Sequence, residues 1–201
     1  MAIKNMLIDL GGVLYEIDIQ STLDKYNQMR APETDPIEYG KYGQHPWFTF
    51  LDNGNSDIDE FAAGLKSTFS LSGSIAEIKK IWKDLLIGVF PGRIEAIQLL
   101  SKKYNLALLS NTNKYHFDTY YPECKPMFDC MDRVFLSYEM GVRKPDPAMY
   151  LQALENMGWK AEETLFLDDS FPNIEAAKAL GIQTYWIEIP ESFEKMMGIY
   201  G

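Results

Sequence analysis

The run Ile3-Lys4-Asn5-Met6-Leu7-Ile8-Asp9-Leu10-Gly11-Gly12-Val13-Leu14 decides the fold. A short, largely apolar stretch passes at once into an acidic residue and a glycine pair, the pattern of a buried strand ending in a tight turn. The same shape recurs twice. Leu106-Ala107-Leu108-Leu109 passes into Ser110-Asn111-Thr112-Asn113, and Leu165-Phe166-Leu167 into Asp168-Asp169-Ser170. Helical spacings lie between these runs: Ile94, Ile97, Leu100 and Tyr104 after Pro91-Gly92, then Met149, Tyr150, Ala153, Leu154 and Met157 before Gly158. Ile174, Ala177 and Leu180 mark a further helix, with Asn173 as the expected cap and Gly181 past its end. A last strand is expected over residues 184–187. Strands alternating with helices build a parallel sheet, which binds ligands beyond the carboxyl ends of its strands. All three polar clusters fall there.

Residues 16–88 read differently. Polar turns such as Ala31-Pro32-Glu33-Thr34-Asp35-Pro36 and Asp52-Asn53-Gly54-Asn55 separate helical patterns, Ile58, Phe61, Ala62, Leu65 and Ile75, Ile78, Ile81, Trp82, Leu85. The expected architecture is α/β: a Rossmann-like doubly wound parallel sheet made by residues 1–15 and 89–201, interrupted by a small helical domain at 16–88.

The chain has 201 residues, with 29 Asp and Glu against 19 Lys and Arg and a net charge of −10. Phosphate-backbone binding needs a basic surface, so the balance argues against nucleic acid and against an anionic membrane as partners. With 46% hydrophobic residues the chain can bury a sizeable core. The apolar N-terminal run is broken by Asp9 and lacks a basic leader and a small-residue cleavage site, so it reads as a core strand and not as a signal peptide. No apolar run approaches the ~20 residues of a membrane span. The two cysteines, Cys124 and Cys130, sit in a stretch rich in turn formers and read as reduced thiols of a cytoplasmic protein.

Four motifs in order carry a family resemblance: Asp9-Leu10-Gly11-Gly12-Val13-Leu14, Ser110-Asn111-Thr112, Gly141-Val142-Arg143-Lys144-Pro145-Asp146-Pro147, and Leu167-Asp168-Asp169-Ser170 with Asn173. Together they resemble the haloacid dehalogenase-like (HAD) hydrolases, in particular the sugar-phosphate phosphatases with a helical cap inserted after the first motif. The resemblance implies that Asp9 is the nucleophile and forms an aspartyl-phosphate, which splits one difficult transfer into two easier ones. It also implies that the Ser110 hydroxyl and the amides of Asn111 and Thr112 hold phosphate oxygens, and that Lys144 brings a fixed positive charge to the phosphate and to Asp9. The neighbouring carboxylates Asp168 and Asp169 repel unless a cation or a lysine lies between them. With Asp9 they form a hard oxygen site suited to Mg²⁺, to which Gly11 could add its carbonyl. By the family pattern Asp169 is the direct ligand, whereas Asp168 binds metal, reaches it through water, or orients Lys144. The implied partner is a small phosphorylated metabolite.

One position departs from the pattern. Most phosphatases of the family carry a second Asp two residues after the nucleophile, where it protonates the leaving group, and this chain has Gly11. A lost general acid typically costs 10²–10⁴-fold in rate. Slow turnover, a substitute acid, or a leaving group that needs little help would each be consistent with it, and related bacterial sugar-phosphate phosphatases also have glycine there. His45 and His116 read as ordinary polar surface residues. The stretch from Tyr39 to Phe48 mixes rings with polar donors in a way that suits a sugar, but Trp47, Phe48 and Phe50 read first as core of the helical insertion. Two alternatives to the phosphatase remain: a metal-independent 2-haloacid dehalogenase, disfavoured by Gly11 and the acidic pair, and a non-catalytic protein that binds phosphate ligands.

Overall fold

The structure, a computed structural model, describes residues 2–40 and 44–201. In chain order it forms β1 (Asn5–Ile8), β2 (Tyr15–Ile17), α1 (Ile19–Met29), α2 (Pro46–Asp52), α3 (Ile58–Thr68), α4 (Ile75–Lys83) and β3 (Leu86–Val89). There follow α5 (Arg93–Leu100), β4 (Asn105–Ser110), α6 (Lys114–Phe128), β5 (Arg133–Leu136), α7 (Ser137–Met140) and α8 (Pro147–Met157). The chain closes with β6 (Thr164–Asp168), α9 (Phe171–Ala179), β7 (Gln183–Trp186) and α10 (Glu191–Tyr200).

Five strands make one parallel sheet in the order β5-β4-β1-β6-β7. Successive strand side chains point to opposite faces, and here both faces are covered. Met6, Ile8, Leu106, Leu108, Leu165 and Leu167 join one apolar cluster with residues of α5, α6 and α10. Leu7, Ala107, Leu109 and Phe166 join the other with residues of α8 and α9. That is why these strands read as unbroken apolar runs. Gly158 closes α8 with φ of +64°, the left-handed conformation that glycine supplies at a helix end.

Between β1 and β4 the chain leaves the sheet. β2 and β3 pair antiparallel, Tyr15 opposite Val89 and Glu16 opposite Gly88, and α1 to α4 lie between them around a separate apolar cluster. This ribbon, missed by the sequence reading, straddles the expected boundaries at residues 15/16 and 88/89. Within the cluster Phe48 is fully buried, Trp47 lies across Gly64, where a Cβ would stand 2.3 Å from the indole, and Phe50 is exposed, against the expectation of core.

Other local readings need correction. Asn173 lies inside α9, which Ser170 precedes, and its side chain is spent on Asp168. Tyr104 falls beyond the end of α5. The stretch around Cys124 is helix α6 despite Pro122 and Pro126 within it, and both cysteines are free thiols. Neither histidine is an ordinary surface group. His45 caps α2 by accepting from the Trp47 amide, and His116 is buried, stacked at 4.7 Å on Trp82 and bonded through Nε2 to its carbonyl at 2.8 Å. Burial lowers the His116 pKa to about 4 and keeps the ring neutral. Among the described residues no helix is long and apolar enough to cross a membrane.

Candidate active site

The carboxyl ends of β1, β4 and β6 deliver Asp9, Ser110-Asn111 and Asp168-Asp169 to one edge of the sheet. Asp9 follows β1 directly, and its amide donates to the Leu167 carbonyl at 2.9 Å. Behind it the chain turns sharply, with the amides of Leu14 and Tyr15 both donating to Leu10 O. Gly12 is obligatory in this turn. Its φ is +75°, and a Cβ would stand 2.4 Å from Asp169 Oδ2. Gly11 is under no such constraint: its φ is not positive, and a Cβ would meet only the tip of Ile17 at 3.1 Å.

Lys144 is the hub. It is 1% exposed, and its Nζ lies 2.8 Å from Asp9 Oδ1 and 2.7 Å from Asp168 Oδ2. Its backbone is clamped by Asn111, which donates Nδ2 to the Lys144 carbonyl at 2.9 Å and accepts the Lys144 amide on Oδ1 at 2.8 Å. Burial alone would discharge the ammonium, but Asp168 and Asp9 outweigh it and raise the pKa.

Asp168 has no solvent exposure and no spare valence. Oδ1 accepts from the Ser170 amide at 2.7 Å and from Asn173 Nδ2 at 3.0 Å, and Oδ2 from Asn173 and Lys144. Asp9 is pushed up to about 7, first by burial and then by Asp168 and Asp169, with Lys144 pulling the other way.

Asp9, Gly11, Asn111, Lys144 and Asp169 line one cleft of about 110 Å³, together with Tyr39, Gln44 and Arg143. Ser110 and Thr112 line an adjoining recess instead. The Thr112 amide, expected to hold phosphate, is committed to Ser137 Oγ at 2.9 Å, so that expectation is corrected. Tyr39, Gln44, Asp52, Asn113 and Arg143 were not foreseen. Tyr39 and Gln44 belong to the aromatic and polar stretch that suits a sugar, and Arg143 to the third motif; Lys41, Tyr42 and Gly43 of that stretch lie outside the described residues. Asn113 closes the second polar cluster and Asp52 opens a polar turn, but neither position signals a part in the cleft.

Oxygen donors alone make up the acidic group. One carboxylate oxygen from each of Asp9, Asp168 and Asp169 lies within 4.8 Å of the others. An all-carboxylate set at this spacing suits a hard divalent cation such as Mg²⁺ and not a soft metal.

A strand-end aspartate, a buried lysine and an acidic pair on a parallel sheet with an inserted helical unit are the features of a HAD-type hydrolase. The profile of the haloacid dehalogenase-like hydrolases matches residues 3–181, and the chain belongs to that family. Among individual proteins, it is similar to D-ribitol-5-phosphate phosphatase of Bacteroides thetaiotaomicron, 31% identical over 188 residues that cover 91% of each chain. Among solved structures, a HAD family enzyme from the same organism, an Asp-to-Ala variant in complex with magnesium and inorganic phosphate, superposes with a TM-score of 0.80 at 29% identity, covering 92% of this chain and 93% of that one. An L-2-haloacid dehalogenase shares the fold at 22% identity and a TM-score of 0.61, covering 92% of this chain and 84% of that one.

Proposed function

We propose that the protein is a Mg²⁺-dependent phosphatase of small phosphorylated metabolites, sugar or sugar-alcohol phosphates, that works through an aspartyl-phosphate on Asp9. The observation that carries this reading is the Asp9–Lys144–Asp168 chain of contacts at the floor of the cleft, with Asp169 beside it. The 31% identity to a phosphatase with a sugar-alcohol phosphate substrate supports the substrate class.

In this reading residues 16–88 form the cap over the core of residues 1–15 and 89–201. With Oδ1 tied to Lys144, Asp9 Oδ2 attacks phosphorus. The ester P–O bond breaks, and the leaving alkoxide takes a proton from water in the cleft, since Gly11 provides no acid. Water then attacks the acyl phosphate, the bond from phosphorus to Asp9 breaks, and inorganic phosphate leaves. Lys144 balances charge on Asp9 and the phosphoryl oxygens throughout. Asn111 lines the phosphate site and, by clamping the Lys144 backbone, positions the lysine. Ser110 reaches the same phosphate from the recess. Asp9 and Asp169, with the Gly11 carbonyl, would hold Mg²⁺, whose chemistry when bound is to add positive charge at the transferring phosphoryl group. Asp168, with its acceptor sites filled, serves as the positioning residue for Lys144.

Purified protein is assayed for phosphate release from sugar phosphates, sugar-alcohol phosphates and a chromogenic ester with Mg²⁺. Activity lost with EDTA and in Asp9→Asn is the expected result. Halide release from chloroacetate without metal, in the absence of phosphatase activity, would instead establish the dehalogenase reading.

A further inference from the structure

The cleft that holds Asp9 continues into a recess of about 50 Å³, and the two share Gly11, Ile17, Tyr39 and Asn111. At their junction four polar side chains meet, Gln44 and Asp52 from the helical insertion and Asn113 and Arg143 from loops of the sheet domain. Asp52 and Asn113 are each 1% exposed. Among the described residues each of the four has a buried atom with no partner in full hydrogen-bond geometry, Gln44 Oε1, Asp52 Oδ2, Asn113 Nδ2 and Arg143 Nε, although the Arg143 charge and the Asn113 and Gln44 amides lie close enough to Asp52 to lower its pKa. Arg143 Nε and Asp52 Oδ2 form an ion pair at 3.6 Å, a separation too long for a hydrogen bond between them. Buried polar atoms are nearly always paired, so four orphans in one place call for a polar guest.

The balance of the orphans selects the guest. Two are acceptors, Gln44 Oε1 and Asp52 Oδ2, and two are donors, Asn113 Nδ2 and Arg143 Nε. A hydroxyl donates one bond and accepts others, so two hydroxyls satisfy all four atoms. A second phosphate, an acceptor, would face Asp52 with like charge, and an ammonium would leave both donors unmet. The space suffices as well, since roughly 10–15 Å³ of such volume holds one water-sized group and the recess offers about 50 Å³. Substrate hydroxyls that reproduce the hydrogen bonds of water in such a site displace it at little cost.

The walls are fixed from both sides. Ser137 Oγ donates to the Asp52 carbonyl at 2.6 Å, and Gly54, at φ +71°, brings the turn after α2 so close to α7 that a Cβ would stand 2.3 Å from Tyr138 O. Asn113 Oδ1 is held by the His116 amide at 3.0 Å, which turns its Nδ2 toward Asp52. Gln44 Nε2 donates to Thr49 Oγ1 at 3.1 Å, which turns its Oε1 toward the junction.

We propose that this junction reads a pair of adjacent hydroxyls on the carbon chain of the phosphorylated substrate, with Gln44, Asp52, Asn113 and Arg143 as the specificity-determining residues. The proposal rests on the phosphatase reading only for what carries the hydroxyls there. It separates a polyol phosphate from an alkyl phosphate of equal length, and the helical insertion and the sheet domain must both be present to do so.

Binding tests it without turnover. In an Asp9→Asn background with MgCl₂, titration calorimetry compares a pentitol 5-phosphate with n-pentyl phosphate. The polyol ester is expected to bind at least ~10-fold more tightly, because an unfilled site leaves its buried polar groups unpaired. Adding Asp52→Asn, which replaces an acceptor oxygen by an amide donor, is expected to shrink the preference to within ~3-fold, against the ~10-fold worth of 1.4 kcal/mol. Gln44→Leu, at a partly exposed side chain, is the second variant and should reduce the preference as well. An equal affinity for the two esters, or a preference untouched by both substitutions, overturns the proposal. Turnover of p-nitrophenyl phosphate by wild-type protein is measured in parallel. Turnover without hydroxyl preference overturns the junction alone, and hydroxyl preference without turnover supports the junction and overturns the phosphatase reading.

Discussion

Asp52 is where the polar junction between insertion and sheet domain strains the fold, and Asp52→Asn should expose the cost. Burial pushes its carboxyl from 3.8 up to about 6, with Arg143, Asn113 and Gln44 offsetting only part of the penalty. A shift of about two units at 1.36 kcal/mol each amounts to about 3 kcal/mol. The sign follows from proton counting: between the two pKa values the folded state binds the extra proton, so stability is fully present below pH 4 and declines as pH rises through 6. Asparagine mimics the protonated side chain and has no such slope. The variant should therefore gain on the wild type by about 3 kcal/mol between pH 3.5 and pH 8, with about half of that gain reached by pH 5. Urea unfolding of both proteins at several pH values, read as the difference in ΔG, measures it. A difference that stays flat, or a wild type that gains on the variant as pH rises, would show that Arg143 fully pairs Asp52 and would refute the reasoning.

Lys144→Met removes the only cation within contact of Asp9 and Asp168 among the described residues, and should cost about 3–5 kcal/mol in urea unfolding at neutral pH. The same variant should lose about 10²–10³-fold in kcat. Gly12→Ala forces a Cβ to 2.4 Å from Asp169 Oδ2, so the MgCl₂ concentration for half-maximal activity should rise about 10–100-fold. Gly11→Asp meets only Ile17 and supplies the missing acid; kcat should rise about 10-fold or more on alkyl phosphates, with little gain on p-nitrophenyl phosphate, whose leaving group needs no proton. Equal gains on both esters would mean that the new carboxyl acts by some route other than protonation.

The parts legible in the sequence are the local ones. Asp9, Asn111, Asp168 and Asp169 announce themselves because each ends an apolar run, and a parallel sheet buried on both faces leaves its runs unbroken. Gly158 and Gly181 likewise report helix ends through the φ that glycine alone adopts easily. Signals failed where two local rules conflicted. Pro122 and Pro126 read as helix breakers, yet α6 continues through them because tertiary burial of Tyr120, Cys124 and Met127 outweighs the lost backbone bonds. Asn173 has the chemistry of a cap and was read as one, but its Nδ2 donates to the Asp168 carboxylate instead. The Gln44–Asp52–Asn113–Arg143 junction left no periodicity at all, since its members come together only when the insertion folds back over the sheet. The Thr112 amide was misread for a related reason: Ser137, which accepts it, opens α7 just past the end of β5, two elements with no clear mark in the sequence.

The central claim is a covalent bond from Asp9 to phosphorus. Rapid acid quench during turnover of a good substrate with Mg²⁺, followed by peptide mass spectrometry, tests it most directly. A phosphoryl group on the peptide that contains Asp9, released by hydroxylamine as an acyl phosphate must be and absent from Asp9→Asn, is the predicted result. Steady turnover with that peptide unmodified, and undiminished in Asp9→Asn, would contradict the account.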